Sequence, residues 1–459
     1  MTAADTLITN TILITMNAAR DVLTHAAIAW KEGRIVWVGS AADATKIDAS
    51  TVIDGRDKVI APGFINAHVH ITGDPLTRHY MPDDLTDENK LMAWVMPRYS
   101  AHTPEDETLS ALYCSLELMK AGCTTFLEAG TVAHLGHAIE GVRQAGIRAR
   151  MSSWIEGRAF DPSQDESALI DDAIKAMEAQ AKAYPNAPET LVSAWPILVG
   201  HNTNPDAVWQ AAKDIAKSSN AGVAAHMSPY DSDGQWYLRE VGKRPIEHLE
   251  DLGVLDPDTT ITHATYLSDA ECDAFVRTKA NIAFCPFATL KGGFGAAKAG
   301  RYAQLRKRGV NIAFATDGYD TEILQAARIG LGLYKDIEAD VTTMGAVGAL
   351  EAITIHAAKA LGMESEIGSL EVGKQADVIS FDTKHIQWRP LLSPLDQLIW
   401  AADGRSLDSV WVAGQQRIAG GKSVDFDEEE LFVRVEEAAK GVIERSGLPF
   451  KRDWSMRPA

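Results

Sequence analysis

Between residues 58 and 366, short apolar runs alternate with amphipathic stretches, and this alternation constrains the fold more than any other feature. The runs end at FINAHVH, TTFLEAG, RARMSSWIE, LVSAWPIL, GVAAHMS, TTITHAT, NIAFCPF and NIAFATDG. Between them lie segments such as PEDETLSALYCSLELMKAG and DAVWQAAKDIAKSS, with apolar residues at helical spacing and acidic starts. Eight strand–helix units predict a (β/α)8 TIM barrel, an α/β fold whose chemistry sits at the C-terminal ends of its strands. The segment after the first run, residues 72–103, is long for a loop. Insertions of that length often serve as active-site lids.

The two chain ends read differently. Residues 1–57 alternate in short runs rich in Val, Ile, Thr and Trp, broken at Gly, Asn and Asp, and predict a small antiparallel sheet. A matching set, GSLEVGKQADVISFDTK and DSVWVAGQQRIAGGKSV, falls within residues 367–425. Together the ends predict one small composite β-sandwich domain around the barrel of residues 58–366. Residues 426–459 add an amphipathic helix, DEEELFVRVEEAAKGVIERSG, and a tail. That helix makes a homo-oligomer the expectation.

At 459 residues the chain can bury a core larger than one ordinary domain. Its formal net charge is -19, so a phosphate backbone or an anionic membrane is a poor partner and a small-molecule substrate the better one. No run is long and apolar enough to span a bilayer, and the N-terminus lacks the basic start of a signal peptide. The four cysteines form no C-x-x-C pair. Structural thiols in a reducing, cytoplasmic compartment are the expectation.

The strand ends carry the candidate chemistry. The first run closes on His68 and His70, the fifth on His226, the sixth on His263 and the eighth on Asp317. Residues at i and i+2 of a strand point the same way, so His68 and His70 converge. Any one of these is more often a satisfied structural residue. Five such residues at four strand ends in one barrel mouth are a different matter. Three imidazoles and a carboxylate suit a borderline divalent metal with one position left open for water.

APGFINAHVH, LMKAGCTTFLEAG, the His226, His263 and Asp317 strand ends and GSLEVGKQADVI together resemble the amidohydrolase superfamily. The resemblance covers nearly the whole chain, including the split β-domain. THATYLSDAE and ITIHAAKALGM are similar to the branch holding triazine hydrolases and S-adenosylhomocysteine deaminases. That branch implies a hydrolase of carbon–nitrogen bonds with one divalent ion per chain, Zn2+ first, with Fe2+ or Co2+ as alternatives. It implies His68, His70, His226 and Asp317 as ligands, and His263 and Asp317 as catalytic groups. The fourth run, LVSAWPIL, has no lysine to bridge two metals, in agreement with a single ion.

Two departures from the branch pattern bear on the reaction. Ring deaminases of this kind carry H-x-x-E after the fifth strand, and here HMSPY puts Pro229 at the glutamate position. After the seventh strand Phe284 stands where the branch usually has histidine. The expectation is therefore attack of a metal-activated water on an amide, urea or carbamate carbonyl, in the neighbourhood of phenylurea and molinate hydrolases. The alternative is an aminohydrolase or dechlorinating hydrolase of a heteroaromatic ring, with Glu128 or Glu156 replacing the lost carboxylate. Either glutamate would more ordinarily be a supporting carboxylate paired with Arg158 or Arg78. A metal-free binding barrel is the non-enzyme alternative, and the full ligand set speaks against it.

For the substrate wall, Trp94 and Met96 of the insertion, Trp154, Phe284, Phe287 and Tyr319 are the candidates, with Met92 and Phe294 beside them. An aromatic lining predicts a neutral, flat substrate. KGGFGAAKAGRY reads as a flexible loop over the site. His25, His102, His248, His356 and His385 read as packing or surface residues, while His134, His137 and His201 follow strands two and four.

Overall fold

The computed structural model describes residues 2–85 and 91–449; positions 86–90 of the insertion and 450–459 of the tail lie outside the described residues. The strands run in order β1 (Thr2–Ile14), β2 (Val22–Lys31), β3 (Arg34–Ser40), β4 (Ile47–Asp54) and β5 (Lys58–Pro62). Then come β6 (Phe64–Val69), β7 (Cys123–Glu128), β8 (Arg148–Met151), β9 (Val192–Ala194), β10 (Ile197–Gly200), β11 (Val223–Met227), β12 (Thr259–His263), β13 (Asn281–Phe284) and β14 (Ile312–Phe314). The last four are β15 (Val378–Asp382), β16 (Leu407–Val412), β17 (Gln415–Ala419) and β18 (Lys422–Ser423).

Both chain ends enter one sheet, ordered β18-β17-β16-β15-β5-β1-β2-β3, with β4 also paired to β1. The join between the ends is the antiparallel pair β15–β5, where Val378 faces Pro62 and Asp382 faces Lys58. The N-terminal part is not purely antiparallel. β1 runs antiparallel to β2 but parallel to both β4 and β5. At 13 residues it is long enough to offer one edge to two short partners in succession. β5, read from sequence as the start of the barrel, belongs to this sheet; the barrel begins at Phe64.

The barrel strands form two parallel runs, β6-β7-β8-β9 and β10-β11-β12-β13-β14. β9 and β10 are halves of the fourth strand, interrupted at Trp195–Pro196. Proline has no N–H to give a ladder. Trp195 N donates to Met151 O of β8, and Pro196 O accepts from Ala224 N of β11, so the strand hands over from one neighbour to the next. The ring closes between the eighth strand and the first. Asp317 N donates to His68 O at 3.0 Å, and Asn66 Nδ2 donates to Thr316 Oγ1 at 2.7 Å. Closure therefore uses the residues that carry the site.

Barrel and sheet are locked by a buried ion pair, Arg148 Nη2 to Asp377 Oδ1 at 3.1 Å. The terminal helix, Glu428–Ser446, lies against the chain's own helix Pro104–Lys120. Lys120 Nζ meets Glu428 Oε2 at 2.6 Å, and the Tyr113 and Phe432 rings lie 6.3 Å apart edge to face. All four cysteines are free and buried. Among the described residues no helix is long and apolar enough to cross a membrane.

Glu322 caps the helix Ile323–Glu338 and ties it to the C-terminal segment, accepting from Leu324 N at 3.3 Å and Gly404 N at 3.1 Å. Burial pushes its carboxyl up to about 7. A raised acid holds its proton in the folded state after the unfolded chain has lost it. Its share of stability is therefore present in acid and lost as pH rises from the ordinary carboxylate range through 7. Relative to Glu322→Gln, the wild type should lose roughly 3 kcal/mol between pH 4 and pH 8. Urea unfolding of both proteins at the two pH values checks this, and parallel pH profiles would refute it.

Candidate metal centre

Each candidate side chain sits where its strand runs out. His68 lies in β6 and His70 just beyond it, His226 in β11, His263 at the end of β12, and Asp317 shortly after β14. The turns after β10, β11, β12 and β14 contain strained backbone. His263, Ala264 and Asp317 have φ of 72°, 51° and 66°, and Ser228 and His201 have 54° and 51°. Non-glycine residues rarely adopt such values, and clusters of them mark functional sites.

The structure brings all five predicted residues together. Donor atoms of His68, His70 and His226 lie within 4.8 Å of one another, and so do those of His263, Cys285 and Asp317. The two triads meet at Asp317. Its Oδ1 is 3.1 Å from His70 Nε2 and 4.0 Å from His68 Nε2, while Oδ2 is 4.0 Å from His263 Nε2. Cys285 is the one donor that sequence reading took for a plain structural thiol, and burial pushes its thiol well up.

Three of the four imidazoles are held neutral, ready to bind. His226 Nδ1 faces Val199 O at 2.9 Å and must donate to it, which leaves Nε2 with the lone pair. His68 Nδ1 is engaged by Thr262 Oγ1 at 3.0 Å, and His68 Nε2 is buried with no hydrogen-bond partner. A buried polar atom without a partner calls for an explanation, and a metal ligand supplies one. Burial holds His68 and His226 well below the usual imidazole range and His263 at about 4. Burial pulls His70 down as well, but the hydrogen bond and charge of Asp317 outweigh it and raise the ring. Burial would lift Asp317, yet His70 and the other imidazoles hold it far below the carboxylate range. The donor set thus fits a borderline divalent ion.

Around these five lies a shell the sequence did not reveal. His70 Nδ1 contacts Thr131 Oγ1 at 2.9 Å and Tyr99 OH at 3.1 Å. The His201 ring stacks on His226 with centroids 5.6 Å apart, and its Nδ1 is 2.7 Å from Asp233 Oδ2. Asp233 also accepts from Ser228 N at 2.7 Å, next to Pro229. Helical patterning hid Asp233, which starts no motif. His134 and His137 are exposed and pair with each other.

The two glutamates separate. Glu156 is exposed. Glu128 is buried, and burial pushes it up to about 7. It pairs with neither Arg158 nor Arg78. Its oxygens accept from Gly130 N at 2.6 Å and from Thr131 N and Oγ1 at 3.3 and 3.1 Å. Arg78 instead grips Glu117, and Arg158 donates to Asn202 O.

A cavity of about 250 Å³ opens beside His70 and Asp317. Its wall carries charged groups, Asp74, Arg98, Lys291, Asp320 and the Arg78–Glu117 pair, beside apolar Met81, Leu85 and Leu290. This differs from the aromatic lining, and the neutral, flat substrate, expected from the sequence. Of the six predicted wall residues only Tyr319 lines this cavity, beneath Lys291 Nζ at 5.1 Å from its ring. Phe284 faces the helical layer instead, stacked 3.9 Å from Tyr302. Trp94 is buried, Met96 and Phe287 are half-buried, and none of them lines the cavity. Trp154 packs edge-on against Tyr99 at 6.5 Å. The glycine-rich segment is no open loop. Its Phe294 ring meets His263 edge-on at 5.4 Å, and Tyr230 OH donates to Gly292 O at 3.2 Å.

A parallel barrel with a histidine–aspartate cluster at its mouth and a split sheet at its flank defines a metal-dependent hydrolase. The chain belongs to the amidohydrolase family, whose sequence profile matches residues 59–417, and is a superfamily hydrolase of carbon–nitrogen bonds. It is 28% identical over 442 residues to the 5-methylthioadenosine/S-adenosylhomocysteine deaminase of Acetivibrio thermocellus, covering 95% of this chain and 99% of that one. The corresponding deaminase of Thermoanaerobacter pseudethanolicus is 27% identical over 450 residues, covering 96% and 99%. Among solved structures, a zinc-bound adenosine deaminase from Xanthomonas campestris superposes with a TM-score of 0.87 at 25% identity, over 96% of this chain and 99% of that one. Atrazine chlorohydrolase of Arthrobacter aurescens TC1, complexed with zinc, shares the fold with a TM-score of 0.84 at 19% identity, over 95% and 100%.

Proposed function

We propose that this protein is an aminohydrolase that removes an exocyclic amino group from a nitrogen heteroaromatic ring, with His68, His70, His226 and Asp317 holding one zinc ion. The observation that carries the reading is the cavity with charged groups in its wall opening directly onto His70 and Asp317, which suits a polar heterocycle better than a greasy one. The full-length likeness to purine-nucleoside deaminases supports it. The convergence of both triads on Asp317 supports one ion rather than two.

A bound divalent metal supplies the acidity that makes water a nucleophile near neutral pH. The rest falls to the chain. Asp317 stays ionised beside three imidazoles and accepts the proton of the attacking water. His263, neutral and 4.0 Å from Asp317 Oδ2, is placed to donate a hydrogen bond to the developing charge on the substrate. Asp317 then returns the proton to the ring or to the departing nitrogen. Glu156 is too exposed to serve, and Glu128 is committed to Gly130 and Thr131.

Pro229, at the position of the deaminase glutamate, favours a second reading: hydrolysis of a urea or amide carbonyl, as in phenylurea hydrolases. The zinc-loaded enzyme should release ammonia from 5'-methylthioadenosine, S-adenosylhomocysteine or an aminotriazine. Chelation should abolish the release and added zinc restore it. Aniline from a phenylurea, with no ammonia from any ring, would overturn the aminohydrolase reading in favour of the second.

A further inference from the structure

We infer that Tyr99, carried by the insertion, is a positioning residue that fixes the tautomer of His70 and thereby links the seating of the insertion to metal binding. The inference rests on the proposed metal centre and concerns how this chain builds it.

The hydrogens around His70 can be counted. Tyr99 OH lies 2.5 Å from Asp74 Oδ2. Asp74 is itself held by Arg98 Nη2 at 3.3 Å from Oδ1, so it stays an acceptor. A phenol has one hydrogen, and at that distance it goes to the carboxylate. What Tyr99 turns toward His70 Nδ1, at 3.1 Å, is therefore a lone pair. Thr131 repeats the arrangement on the other side. Its hydroxyl hydrogen goes to Glu128 Oε1 at 3.1 Å, and its lone pair faces Nδ1 at 2.9 Å. Two acceptors converge on one nitrogen, so Nδ1 carries the hydrogen, and Nε2, which faces Asp317 Oδ1 at 3.1 Å, is the nitrogen that would take the metal. A ligand imidazole oriented through its far nitrogen is a recognised determinant of metal affinity.

The contact is built into the backbone. Gly73 has φ +78°, and a Cβ there would stand 1.9 Å from the Tyr99 ring. A Cβ at Gly318, next to Asp317, would stand 2.4 Å from Asp74 Oδ2. Both positions are kept clear for the Tyr99–Asp74 pair. Tyr99 and Arg98 share the short helix Met96–Ser100 of the insertion, whereas Thr131 comes from the second strand's loop. Tyr99 is thus a route by which the insertion touches a ligand. By reciprocity, whatever it adds to zinc affinity, zinc adds to the seating of the insertion.

The test is the zinc dissociation constant of metal-free protein, by competition with a chromophoric chelator, for wild type, Tyr99→Phe, Thr131→Val and the double variant. Phenylalanine keeps the ring over Gly73 and removes only the hydroxyl. Tyr99→Phe should weaken zinc binding about tenfold, alone or on the Thr131→Val background, with the metal-free melting temperature little changed. A dissociation constant within twofold of the parent on both backgrounds would overturn the inference, as would a lowered melting temperature with unchanged affinity, the mark of mere packing. Wild-type protein that binds no stoichiometric zinc would instead remove the metal centre itself.

Discussion

Asp317→Asn should lower kcat by about a thousandfold while leaving a folded protein. The side chain is nearly fully buried, and its Oδ1 accepts from Gly318 N at 2.8 Å and faces His70 Nε2 at 3.1 Å. Asparagine keeps the shape, the acceptor toward Gly318 and a tolerance for the φ of 66° at this position. It loses the proton acceptor and the negative charge that holds three imidazoles together. Each lost function is worth several kcal/mol of barrier on its own, so the effect is large even if zinc remains. The measurement is kcat at matched zinc content, with far-ultraviolet circular dichroism as the folding control. A variant within tenfold of wild type would take Asp317 off the proton path and leave His263 to carry it.

Gly200→Ala should damage the fold and the site together. Gly200 ends β10 with φ +80°, where an L side chain is strained. A Cβ there would sit 2.1 Å from His226 O and 2.8 Å from His226 N. Those are backbone atoms of β11, so relief requires moving the strand that carries a proposed ligand. The expected loss is roughly 2–4 kcal/mol of stability, with weaker zinc binding in whatever remains folded. Thermal unfolding with and without zinc reads both. A full-affinity variant of wild-type melting temperature would mean that β10 and β11 can part without cost.

His68, His70, His226, His263 and Asp317 were legible because each is a lone polar residue closing an apolar run, and barrel topology brings such ends to one rim. Pro229 was legible as a gap only through the resemblance, whose H-x-x-E pattern puts a glutamate there. Tyr99, Asp74 and Thr131 were not, because each lies on a loop or short helix whose position no periodicity records. The substrate wall was misjudged because aromatic residues near strand ends face either the mouth or the helices, and one position along the strand reverses the choice. Phe284 shows the error: it packs on Tyr302, Phe314 and Tyr334.

The sequence by itself therefore determined the barrel, the flanking sheet from both ends and the five polar residues at the strand ends, since these follow from local patterns repeated along the chain. The tertiary structure alone decided which way the loops turn, which carboxylates reach the mouth and what lines the cavity. Glu128 and Glu156 look alike in the chain, but one is buried against Thr131 and the other lies in solvent. Tyr99 meets His70 only once the insertion folds back over the mouth, and Asn66 meets Thr316, 250 residues away, only when the ring of strands closes. A pattern of neighbours along the chain fixes where a side chain starts, and only packing fixes what it meets.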